Sequence, residues 1–112
     1  MKKKEILNAL INFKYPTNFM AKELRLIDWD DTESVVLTTN HIAKVLKRLS
    51  KGEISKEELT EWAELIECRE DIIYDAKNEE QIKEIIFKIA NPDLTKKNYL
   101  DHLLKKIDLF KT

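Results

Sequence analysis

His41, His102 and Cys68 are the residues best suited by type to metal or nucleophilic chemistry, and their spacing supports neither. A metal centre needs several ligands at helical or hairpin spacing, and neither histidine has a second histidine three or four residues away. Cys68 with His41 would make a nucleophile pair only by an unrelated approach in space. Cys68 follows an apolar run, where a packed thiol is the simpler expectation. A phosphate-binding loop requires glycines at set intervals, and Gly52 is the only glycine. Paired carboxylates carry little information in a chain with 21 acidic residues. The expectation is a protein that is not an enzyme, with no cofactor and no metal.

Charge is more informative. Net charge is −1, yet residues 53–80 carry eleven acids against three bases, while residues 34–52 carry four bases and no acid. Glu57, Glu61, Glu64 and Asp71 fall at i, i+4, i+7 and i+14, with Glu67 beside them, so a helix there would align them opposite Leu59 and Ile66. Like charges one turn apart disfavour a helix by a few tenths of a kcal/mol per pair. In sequence only Lys56 and Arg69 stand near enough to offset them. The stripe is therefore either neutralised in space by the basic 34–52 helix or left open as a docking face for a basic partner.

A second acidic cluster, Asp28, Asp30 and Asp31, surrounds Trp29, which either anchors its segment to the core or offers an aromatic contact beside acids. Trp62 shares the apolar face of Leu59 and Ile66 and is expected in the core. Lys44, Lys47, Arg48 and Lys51 after His41 invite comparison with a nucleic-acid surface. The helix that would follow as the reader of bases is the acidic one, and the pI is about 6.1. No nucleic-acid partner is expected.

The elements that must position these groups are helices. Positive-φ hairpin residues are almost absent, and apolar residues recur with helical spacing. Ile6, Leu7, Leu10 and Ile11 define a helix over 3–14, ended by Pro16. Residues 18–27 lean to helix. A third helix is expected from Thr32 to Ser50, stopped by Gly52. The Val35-to-Thr39 run is the one place a strand competes, and helix is preferred because no second strand is evident. Ser55 and Glu58 form a capping box for the next helix, Asn78 and Gln81 repeat the device, and Thr95 caps the last. Ile107 and Phe110 of that last helix are expected to face inward. The reading is an all-α, single-domain bundle of five or six short helices over residues 1–112. One cysteine suggests a reducing compartment, and no membrane span or signal peptide is read, so a cytoplasmic location is expected.

The run Gly52-Glu53-Ile54-Ser55, with Glu58-Leu59, Trp62-Ala63 and Arg69-Glu70-Asp71-Ile72, resembles a segment of small bacterial proteins. Some of these are similar to immunity proteins of contact-dependent growth-inhibition and other polymorphic toxin systems. The match spans about a fifth of the chain. It implies a non-enzymatic protein that binds and neutralises a cognate toxin domain, such toxins commonly being nucleases with basic surfaces. The partner-binding residues expected are Glu57, Glu61, Glu64, Glu67, Asp71, Asp28, Trp29, Asp30 and Asp31. The alternative is a helical regulatory or scaffolding module for protein–protein interaction, monomeric or a homodimer.

Overall fold

The computed structural model describes residues 2–27 and 32–106. Helix α1 (Lys3–Ile11) buries Ile6, Leu7, Leu10 and Ile11, the face its spacing predicts. It ends at an unusual stop. Phe13 has φ 48°, with its N–H donating to Leu10 (3.0 Å) while the Lys14 N–H reaches Ala9 (2.9 Å). This is the left-handed helix terminus normally built on glycine. A phenylalanine tolerates it because burial and stacking hold the ring. It lies 6.1 Å from the Trp62 ring, centroid to centroid, beneath the Arg48 guanidinium, and the Phe13 carbonyl accepts a hydrogen bond from Arg48.

Helix α2 (Thr17–Arg25) follows Pro16 and packs on α1, settling residues 18–27 as helix. The expected helix from Thr32 does not form. Val35–Leu37 is a strand, β1, paired in parallel with β2 (Ile72–Tyr74) in the register Val35↔Ile72, Val36↔Ile73, Leu37↔Tyr74. The fold is therefore mostly helical, with six α-helices among the described residues and a small two-stranded sheet, rather than all-α. The partner strand, Ile-Ile-Tyr, has the β-branched and aromatic residues a pleated surface favours. At three residues it is too short to show an alternating pattern. Val35, Leu37 and Ile72 face the core, whereas Val36 and Ile73 point outward.

The crossover between the parallel strands consists of two helices. Helix α3 (Thr39–Ser50) is capped by Thr38 and ends in a second left-handed turn, at Gly52 (φ 75°), where Gly52 bonds Leu49 and Glu53 bonds Arg48. Helix α4 (Lys56–Glu67) opens on the expected Ser55–Glu58 box, with reciprocal bonds of 3.0 and 3.1 Å. Its apolar face, Leu59, Trp62, Ala63 and Ile66, is buried chiefly against α5 (Glu79–Ala90), with α2 and α1 alongside. The Trp62 indole N–H donates to the Leu10 carbonyl at 2.6 Å, so the buried ring leaves no polar atom unpaired.

Two expected caps are absent. Asn78 does not cap α5; it ends a 3-10 turn (Ala76–Asn78) that runs straight into the helix, and Asp75 caps that turn by accepting from the Lys77 N–H. Thr95 does not open the last helix, α6 (Tyr99–Lys106). Its hydroxyl donates to the Lys88 and Asn91 carbonyls and so closes the end of α5. Ile107 and Phe110 lie outside the described residues. No described helix is long and apolar enough to cross a membrane.

Candidate functional site

Helix α4 aligns Glu57, Glu61, Glu64 and Glu67 as their spacing predicts, and all four are exposed. The basic helix α3 is not a principal neighbour of α4, and among the described residues no ion pair joins the two. Arg48, counted with the basic stripe, turns inward to the Phe13 carbonyl and to Glu53 at 3.6 Å. Lys44 and Lys51 remain exposed on α3.

The four glutamates are not equivalent. Glu61 accepts a hydrogen bond from the buried Thr17 hydroxyl at 3.1 Å, which ties it to the start of α2. Glu61 and Glu64 also border a groove between α2 and α4 that Arg25 and Arg69 share. Neutralising charge therefore comes from α2 and the α4 terminus rather than from α3. Glu67 sits near Tyr74 at the other flank, where burial and then the Glu67 charge push the phenol pKa up.

Asp71 leaves the stripe. Helix α4 ends at Glu67, so position i+14 no longer lies on the same face. Its carboxylate is held two-pronged by Arg69 (2.8 and 2.7 Å) and lies 3.4 Å from Lys3 of α1. Burial pushes the carboxyl up, and Arg69 and Lys3 more than reverse this, leaving it below its usual value. Asp71 is a tie between helix ends and not an open contact. Asp28, Trp29, Asp30 and Asp31 lie outside the described residues.

The residues weighed for chemistry have other employment. His41 Nδ1 accepts from the Thr38 N–H at 3.0 Å while the His41 N–H donates to the Thr38 hydroxyl, making a capping box at the start of α3. Burial and then Lys44 lower the His41 pKa. His102 contacts the Asn98 amide at 3.0 Å. Cys68 is exposed rather than packed, because it stands at the C-cap of α4, beyond the last buried turn. Among the described residues no three His, Cys, Asp or Glu side chains converge as a metal site.

A groove of about 790 Å³ that sequence spacing did not suggest continues from Glu67 past Tyr74 to α5, where Glu80, Glu84 and the exposed Phe87 line it. Only the outward position of Phe87, off the Ile82–Ile86–Ile89 face, could have signalled it. Glu84 is engaged by Lys88 at 2.7 Å, which lowers its pKa. Compared with protein-family models, with curated proteins and with solved structures, the chain matches none.

Proposed function

We propose that the protein is a non-enzymatic immunity protein that binds a cognate bacterial toxin domain through the acidic face of α4. One observation carries the reading: Glu57, Glu64 and Glu67 project from one side of a firmly packed helix, and no ion pair reaches them among the described residues. A rigid row of carboxylates suits a basic surface such as the nucleic-acid groove of a nuclease, where it would speed encounter and reject acidic partners. Phe87 and Tyr74, beyond Glu67, supply apolar contact beside the charges, as interface centres require. The site assigned to the partner is thus Glu57, Glu61, Glu64 and Glu67, in a cytoplasmic protein.

Co-purification with the C-terminal domain of a secreted toxin encoded by a neighbouring reading frame tests the function. The triple variant E57K/E64K/E67K tests the face, since its binding should collapse while its fold persists. Full binding by that variant refutes the site. A second reading, self-association as a regulatory module, is favoured by the outward pair Val36 and Ile73, each about half exposed side by side on the sheet. Parallel strands are normally covered on both faces. A concentration-dependent dimer in light scattering, abolished by V36K, would establish it.

A further inference from the structure

We infer that the cavity between α5, α6 and the start of α3 is a binding site for a small ligand bearing several phosphate charges. It encloses about 910 Å³, and the lining includes Lys77, Lys88, Lys96, Lys106, Tyr99 and His102. Glu84 is the one carboxylate among the described lining residues, and it is already engaged by Lys88 at 2.7 Å, with Lys106 acting on it as well. Three further ammonium groups, on Lys77, Lys96 and Lys106, therefore converge on one concavity where one acid is present. Uncompensated like charges repel one another, and a multivalent anion would relieve that.

The neutral groups suit the same ligand. Asn78 and Asn98 bring side-chain amides into the lining, and Thr39 opens α3, whose first turn holds no acid to offset its positive end. Burial, and then Glu84, push the Tyr99 phenol pKa up to about 12, so its hydroxyl stays a donor. Lys88 lies 5.0 Å from the centroid of the Tyr99 ring, which fixes one cation against the wall before any ligand arrives. Leu94, largely exposed at the rim, adds an apolar edge. Concavity favours a compact ligand over an extended acidic surface. This site is separate from the α4 face and stands or falls independently of the proposed function.

Calorimetric titration of the full chain with inorganic tripolyphosphate, and separately with ATP, tests the inference at low salt. Saturable one-to-one binding by either supports it; ATP binding more tightly than tripolyphosphate would add the base to what the rim recognises. The K77Q/K96Q variant should weaken binding on the order of tenfold, whereas K51Q/K56Q, which removes the same charge elsewhere, should change it less than twofold. No saturable binding of either probe at millimolar concentration overturns the inference. So does an equal loss in the two variants, and so does binding of an oligonucleotide when neither small probe binds.

Discussion

Acidification should loosen the start of α3 through one side chain, His41. Its Nδ1 serves as acceptor for the Thr38 N–H, so this nitrogen must be unprotonated and the ring proton must sit on Nε2. Protonation would turn the acceptor into a donor, place a cation at the positive end of a 12-residue helix, and add repulsion from Lys44. The folded pKa lies below the ordinary 6.5, with burial the first cause. The sign follows: stability from this group is fully present above pH 6.5 and is lost as pH falls through the lowered folded value. Loss of a cap costs about 1 kcal/mol, and the half-exposed position of His41 argues for the lower half of the usual range. In a domain of this size about 1 kcal/mol moves the melting temperature by roughly 4–6 °C. Thermal unfolding at about pH 7.5 and about pH 5 should therefore show a gap that shrinks by that amount in H41Q, whose amide oxygen keeps the cap without titrating. A titration of His41 by NMR that places its pKa at or above 6.5, or an H41Q variant with the full wild-type gap, would refute the reasoning.

D71N should cost about 1 kcal/mol near neutrality, because the Arg69 and Lys3 contacts favour the charged form, and nothing in strong acid. Its folded pKa is depressed, so this stability is present above about pH 3.8 and lost below, which urea titrations across that range would reveal. F13A should destabilise by about 3–5 kcal/mol through the lost ring. F13G should be about 1 kcal/mol less harmful despite being smaller, because glycine accepts the left-handed backbone freely; an F13A variant as stable as F13G would contradict this. E57Q/E64Q/E67Q should leave the melting temperature unchanged or raised by a degree or two through relieved i,i+3 and i,i+4 repulsion, and a marked fall would show hidden partners for these acids.

Helices α1, α4 and α5 are legible because each repeats an apolar face over nine or more residues. The sheet is not, since three-residue strands carry no period and β1 meets its partner only across two intervening helices. Taken alone, Val35 and Val36 extend a helical pattern; pairing with Ile72 and Ile73 overrides it. The α4 glutamates were legible from spacing alone. Asp71 was misplaced because that spacing assumed a helix running past Glu67. Thr17 and Arg25, which meet Glu61 and its groove from α2, leave no trace in the local sequence.

The parallel pairing of β1 with β2 makes the sheet a clasp around the α3–α4 hairpin. Its bonds Val35 to Asp71 and Asp75 to Leu37 bring together chain segments on either side of both helices. The far end of the hairpin is fixed by the Gly52 turn, so α4 is restrained at both of its ends. A helix mounted in this way presents its outer face at a constant angle, and a partner that meets it need not spend binding energy on ordering it.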